Sequence, residues 1–330
     1  MNKLFNLSLT LAQRKIVSRP LSGRVFLEGP AGCGKTTSGI MRLLRLIEGG
    51  VPGGSILLLV PQRALAEPYQ QTLLESGLQV GSMVTIVTVG GLARRMIELF
   101  WPLIAEEAGF CHPDKPPLFL TLETAQYHLA RLVRPLLGQG YFESVVMVRN
   151  RIYSQIIDNL NKAALTGFPY QEIAERLKAA WLGGDSQARV YDDAQECATR
   201  FRQYCLNHNL LDFSLQIEVF RKHLWEHPHC RQYLRNTYRH LIADNLEEDS
   251  PATHDLLREW LGDFESVLLI YDQEAGYRRF LGADAEYGYT LADLCDERVE
   301  MKVSFVTPPT LHAFSVRLGK VLNHVSYTHL

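Results

Sequence analysis

The run Gly29-Pro30-Ala31-Gly32-Cys33-Gly34-Lys35-Thr36 matches G-x-x-x-x-G-K-[ST] at every position. It constrains the fold more than any other feature of the chain. Such a loop leaves a strand and enters a helix, so that backbone N–H groups and the helix N-terminus converge on one spot. The flanks agree. Arg24-Val25-Phe26-Leu27-Glu28 reads as a buried strand, and residues 35–48 read as a helix stopped by Gly49-Gly50-Val51-Pro52-Gly53-Gly54. Here the glycines let amides turn inward and cradle phosphates. Lys35 reaches for the β- and γ-phosphates, and Thr36 offers its hydroxyl to Mg²⁺. Cys33 reads as a small filler of the loop.

Strand and helix signals keep alternating after the loop. Ser55 to Val60 is a second strand, a helix follows to about Ser76, Val84 to Thr88 is a third strand, and Gly90-Gly91 opens another helix. This alternation implies a parallel sheet covered by helices. From about residue 100 to 235 strand signals vanish. Helices are expected over Thr121–Leu137, Arg151–Leu165, Gln171–Leu182, Ala188–Asn207 and Phe213–Trp225. The first pattern then returns. His240 to Ala243 is a strand ending at Asp244, Ser250-Pro251 starts a helix, Ser266 to Tyr271 is a strand, and Lys302 to Val306 is a further one. The chain therefore divides into residues 1–99 and 236–325, two parts of one α/β domain, and an α-helical insertion over 100–235. Asp244, at the tip of a buried strand, is placed to be the second Mg²⁺ ligand that a phosphate loop needs.

Charge and composition narrow the function classes. Lys+Arg is 34 and Asp+Glu is 36, which excludes a uniformly basic protein that coats nucleic acid and leaves room for a local basic groove. No apolar run has the length of a membrane span, and Met1 to Asn6 lacks the apolar core of a signal peptide. Cys33, Cys111, Cys197, Cys205, Cys230 and Cys295 are scattered without a C-x-x-C pair, so a reduced, cytoplasmic protein is expected. His223, His227, His229 and Cys230 cluster, but Pro228 is expected to interrupt their helix and deny them a shared face. Phe100, Trp101 and Tyr277 read as core residues rather than as stacking platforms for bases.

Further segments resemble, in order and spacing, the first motor domain of UvrD/Rep-type superfamily 1 DNA helicases, from about residue 8 to at least residue 283. Leu9-Thr10-Leu11-Ala12-Gln13 looks like the family's Q motif, whose Gln reads adenine. Val60-Pro61-Gln62-Arg63-Ala64-Leu65 resembles motif Ia, and Thr88-Val89-Gly90-Gly91-Leu92-Ala93-Arg94-Arg95 resembles the family's T-F-H-S-L-A-R-R. Leu210-Leu211-Asp212-Phe213-Ser214-Leu215 is similar to L-D-F-D-D-L, and Tyr238-Arg239-His240-Leu241-Ile242-Ala243-Asp244 to Y-R-H-L-L-V-D. Gly282-Ala283 fits the end of motif III. The long insertion also disfavours an unrelated phosphate-loop enzyme such as a nucleotide kinase.

The resemblance implies a RecA-like P-loop NTPase sheet with a large helical insertion. It implies an ATP-dependent DNA helicase or translocase motor serving repair or recombination, with ATP and Mg²⁺ as cofactors. The nucleotide would be held by Gln13, Gly29, Pro30, Ala31, Gly32, Cys33, Gly34, Lys35, Thr36 and Thr37, and Mg²⁺ by Thr36 and Asp244. Single-stranded DNA would meet Pro61, Gln62, Arg63, Thr88, Gly90 and Arg94. A second motor domain of the same protein would follow as partner, and Ser326 to Leu330 reads as a non-native tail.

Departures from the family pattern bear on catalysis. The family reads D-E-x-Q-D where this chain has Asp244-Asn245-Leu246-Glu247-Glu248. The family's Glu acts as general base, and Asn245 cannot take up that proton. Lys35 and Asp244 would remain in the catalytic set, with Glu247 or Glu248 as a substitute base. Ala275 stands where a γ-phosphate-sensing Gln belongs, with Gln273 nearby, and Val306 stands where motif IV has Arg. These departures keep an alternative open: a catalytically inactive helicase fold serving as scaffold or DNA-binding subunit of a helicase–nuclease complex.

Overall fold

The computed structural model describes residues 9–76, 83–183 and 188–326. Met1 to Asn6, Gly184 and Tyr327 to Leu330, on which some expectations fell, lie outside the described residues. The elements run α1 (Leu11–Val17), β1 (Gly23–Gly29), α2 (Lys35–Glu48), β2 (Ile56–Leu59), α3 (Glu67–Ser76), β3 (Thr85–Val87), α4 (Val89–Ile104), β4 (Leu118–Phe119), α5 (Leu122–Leu137), α6 (Arg149–Thr166) and α7 (Ile173–Ala179). They continue with α8 (Ala188–Asn207), β5 (Leu210–Leu211), α9 (Phe213–Val219), α10 (Pro228–Thr237), β6 (His240–Ala243), α11 (Pro251–Trp260), β7 (Ser266–Asp272), α12 (Ala285–Tyr289), β8 (Glu297–Glu300) and α13 (Pro309–Ser326). The described residues form two compact units. One holds 9–87, 237–249 and 257–326, and the other holds 88–236 and 250–256.

The first unit is built on a six-stranded parallel sheet in the order β3-β2-β6-β7-β1-β8. Its inner strands are apolar without alternation, and β2 and β6 are buried at every position, as strands covered on both faces must be. Leu27, Leu58, Ile242, Leu268 and Ile270 form one core with Leu43 and Leu46 of α2 and Tyr69 of α3. The strand order sets the site. The chain passes from β1 through α2 to β2, while β6 and β7 fill the gap between them. The ends of β1, β6 and β7 therefore open side by side, the crevice where such sheets bind ligands. Lys302–Val306, expected as a strand, is not one; the edge strand is β8, paired with β1 from Val25↔Glu297 to Glu28↔Glu300. β1 leaves the sheet at Gly29, so the ladder has no partner to continue on.

The second unit is helical. Leu92, Met96, Ile97 and Trp101 of α4, Leu160 of α6, Phe201 of α8 and Phe220 after α9 are buried. It holds one exception to the all-helical expectation, the two-residue parallel pair β4–β5, too short to leave a period in the sequence. The expected helix Phe213–Trp225 is α9 followed by a π-turn over Phe220–Leu224. Pro228 does not interrupt a helix but begins α10, where its missing N–H costs nothing. The expected division near residue 100 differs from the observed one at Val87–Thr88, because α4 buries its apolar face against α9 and the π-turn within the helical unit. Trp101 is core: it packs on Phe110 at 4.7 Å and donates Nε1–H to Lys115 O at 2.7 Å. Tyr277 is instead 80% exposed. Among the described residues no helix is long and apolar enough to cross a membrane.

Candidate nucleotide-binding site

The loop after β1 takes the path its glycines permit. Gly32 and Gly34 sit at φ 73° and 89°, and Gly34 is the cap residue from which α2 starts. A side chain at Gly34 would be strained and would also strike the Gln13 amide. Gln13 closes a capping box with Thr10 at the start of α1 and donates Nε2–H to Gly34 O at 3.3 Å. The structure thus sets Gln13 against the loop that Gly29, Pro30, Ala31, Gly32, Cys33, Gly34, Lys35, Thr36 and Thr37 form.

Lys35 is buried. Its Nζ donates to Gly29 O and Pro30 O, each at 2.7 Å, and pairs with Asp272 Oδ2 at 3.1 Å. Asp272 ends β7, and the pairing was not foreseen from sequence. The usable signal was an acid closing a buried strand, the same one that marked Asp244. Cys33 is buried beneath the loop, and burial pushes its thiol up.

Asp244 directly follows β6 and is 2% exposed. Its Oδ2 accepts from Tyr69 O–H at 2.8 Å and its Oδ1 from Asn245 N–H at 2.9 Å. Burial pushes the carboxyl up, while the Tyr69 and Thr36 hydroxyls, the Asn245 N–H and the charge of Lys35 pull it down. Tyr69 is a residue that sequence reasoning missed, since a Tyr inside an amphipathic helix carries no mark of a polar partner.

The turn after Asp244 explains the next three residues. Asn245 adopts φ 62°, a left-handed conformation that Asn tolerates better than most residues. Its Nδ2–H donates to Glu247 Oε1 at 3.3 Å. Glu247 is fully buried, and its Oε2 accepts the Asp272 N–H at 2.9 Å. Burial pushes Glu247 up to about 7, against the pull of that N–H. Glu248 Oε1 accepts the Gly276 N–H at 3.2 Å, and its Oε2 faces Arg278 Nε at 3.7 Å. Both glutamates tie the loop after β6 to the loop after β7. Gln273 turns away from Lys35 and donates to Glu28 Oε2 at 3.0 Å.

The segments expected on DNA fall in both units, and each is described by itself. Pro61, Gln62 and Arg63 form the turn after β2, with Arg63 exposed. Thr88 caps α4 by accepting the Gly91 N–H at 3.0 Å. Gly90 packs under Phe213, and its carbonyl accepts from Gln216 Nε2–H at 2.5 Å. Arg94 lies over the Phe119 ring at 4.5 Å and pairs with Glu98 at 2.9 Å.

A family model for the UvrD/REP helicase N-terminal domain matches residues 9–292. The chain belongs to this helicase family. The match spans the phosphate loop, the Asp244 turn and the β7 loop, and the parallel sheet with its helical unit is the family's RecA-like motor fold. Comparison with curated proteins gives no match.

Proposed function

We propose that the chain is the N-terminal motor half of an ATP-dependent DNA helicase or translocase. It would bind Mg-ATP and single-stranded DNA and serve repair or recombination in the cytoplasm. One observation carries the reading: the phosphate loop meets two acids at the ends of neighbouring strands, Asp244 directly after β6 beside the Thr36 hydroxyl and Asp272 at the end of β7 paired with Lys35.

The residues suit Mg-ATP. Among the described residues the N–H groups of Gly32 and Gly34 bond to no backbone carbonyl outside the regular elements, as donors kept for phosphate oxygens would be. Asp244 is a buried acid beside the Thr36 hydroxyl, and a divalent cation there would stabilise its ionised form. Thr36 and Asp244 would hold Mg²⁺, Lys35 would leave its loop carbonyls and Asp272 for the phosphates, and Gln13 would read the adenine edge. Bound Mg-ATP supplies the phosphoryl group that passes to water. In such transfers the protein contributes positioning and charge, and a partner domain's arginines contribute about 10³–10⁵ in rate. We infer that a second motor domain closes over this site in the same way.

Glu247 and Glu248 were the candidates for the base that Asn245 cannot be. We read both as a clasp between the two loops, since three of their oxygens accept from the Asn245 amide and the Asp272 and Gly276 N–H groups, and Glu248 Oε2 faces Arg278 at 3.7 Å. Asn245 therefore favours a second reading, the inactive scaffold or DNA-binding subunit of a helicase–nuclease complex. On DNA, Arg63 would contact phosphate directly. Pro61, Gln62, Thr88 and Gly90 would shape the backbone that meets the strand, and Arg94 would act from its place over Phe119.

ATP turnover by the full-length gene product tests the choice, with and without single-stranded DNA and beside Lys35→Ala. Turnover that rises with DNA and is lost in Lys35→Ala is the expected result. DNA binding without turnover would move the protein to the scaffold reading.

A further inference from the structure

Past β8 the chain runs alongside the phosphate loop just as β8 runs alongside β1. The last rung is Met301 N–H to Glu28 O at 2.8 Å. Beyond it β1 has become the loop, whose outward carbonyls have no strand to pair with. Residues 304–306 supply the partners. Ser304 Oγ–H donates to Ala31 O at 2.7 Å, and Phe305 N–H donates to Gly32 O at 3.0 Å. The Val306 side chain lies over Gly32, where an added Cβ would sit 2.8 Å from Val306 Cγ2. Ser304 Oγ also accepts the N–H groups of Val306 and Thr307, at 3.3 and 3.0 Å, and so fixes the turn that presents it.

A trans peptide points its C=O and N–H in opposite directions. The Ala31 carbonyl shares its peptide with the Gly32 N–H. Holding that carbonyl outward holds the N–H inward, toward the place where phosphate oxygens would lie. We propose that Ser304 is a positioning residue that sets the phosphate loop in its cradle form for the diphosphate of a nucleotide. The inference rests on the reading of this site as a nucleotide site. The strap is light: Phe305 and Val306 are 61% and 79% exposed. The fold does not depend on it, so its effect belongs to the loop.

The test is titration of the chain with fluorescent methylanthraniloyl ADP and ATP, in wild type, Ser304→Ala, Ser304→Thr and Lys35→Ala. Ser304→Ala should weaken both nucleotides equally, by about fivefold, the worth of one net hydrogen bond. Ser304→Thr keeps the hydroxyl and should stay within about twofold of wild type. The melting temperature without nucleotide should move by no more than about 2 °C. Wild-type affinity in Ser304→Ala, with binding lost in Lys35→Ala, would overturn the inference and leave the nucleotide site standing. A loss confined to ATP would place the effect at the third phosphate and overturn it too. So would an equal loss in Ser304→Thr, or a loss accompanied by a large fall in melting temperature. If wild type itself fails to bind, the nucleotide reading falls and the role of Ser304 falls with it.

Discussion

Glu247→Gln separates a clasp from a catalytic base, and the structure sets the size of its effect. Glu247 is fully buried and is pushed from the ordinary 4.5 up to about 7, mainly by burial. A folded-state carboxyl that holds its proton more tightly than the unfolded one makes stability fall as pH rises between those two values. That rise corresponds to about 3 kcal/mol of stability lost by pH 8, and to about 1 kcal/mol at pH 5. Gln removes the charge, and its carbonyl can still accept the Asp272 N–H. It is also the residue that the family pattern places at this position. Urea unfolding of both proteins from pH 5 to 8 should show the variant gaining on wild type by about 2 kcal/mol across the range. A gap that does not change with pH, or a variant less stable at pH 8, would refute the burial argument. Turnover by the full-length product gives the second arm. A clasp predicts rates within about threefold of wild type, whereas loss of a general base removes about 10²–10⁴-fold. A loss of that size with unchanged nucleotide affinity would make Glu247 the base.

Three other substitutions probe separate links. Asp212→Ala removes the cap of α9, where Asp212 accepts the Ser214 and Leu215 N–H groups, and strands the buried Arg202 that pairs with it at 3.0 Å. The cost should be about 3 kcal/mol in urea unfolding, the low end for a broken buried pair because Glu218 still faces Arg202 at 3.4 Å. Arg63→Ala should weaken single-stranded DNA binding without regard to sequence and flatten the salt dependence by about one phosphate contact, read by fluorescence anisotropy at several salt concentrations. Asn245→Glu in the full-length product should raise DNA-stimulated turnover by about 10²-fold if the missing carboxylate limits the rate, and leave it unchanged if other groups already serve.

The parts legible in the sequence are those whose physics is local. The strands β1, β2, β6 and β7 announced themselves because burial on both faces leaves unbroken apolar runs. The ends of α5 and α6 were readable because Thr121 caps by accepting the Thr124 N–H, and because Gly167 takes φ 85° where a helix must stop. The phosphate loop was readable because its glycines are demanded by its own backbone. What stayed hidden depends on partners far along the chain. Lys35 and Asp272 are 237 positions apart, and Ser304 reaches Ala31 across 273. No periodicity encodes such pairings; only the strand order brings them together. β4 and β5 were hidden for the opposite reason, since two residues cannot display a period of two.

Asn245 is where conformation and chemistry meet. Its backbone is left-handed, and its side-chain amide points along the loop to Glu247. In that conformation Asn is among the least strained residues, and a longer side chain would cost about 1 kcal/mol more. The turn after β6 therefore gains stability from the residue that deprives it of a carboxylate. The same turn buries Glu247, which binds the β7 loop through the Asp272 N–H while Asp272 holds Lys35. Asn245, Glu247, Asp272 and Lys35 thus form one chain of contacts from the β6 loop to the phosphate loop. Were Lys35 drawn toward a phosphate, the Asp272 carboxylate would lose that partner while the Asp272 N–H stayed on Glu247. These contacts tie the phosphate loop to the β6 loop whether or not the turn also activates water. That is why turnover and DNA binding have to be measured together: the contacts that suit a motor also suit a nucleotide-regulated scaffold, and only the rate distinguishes them.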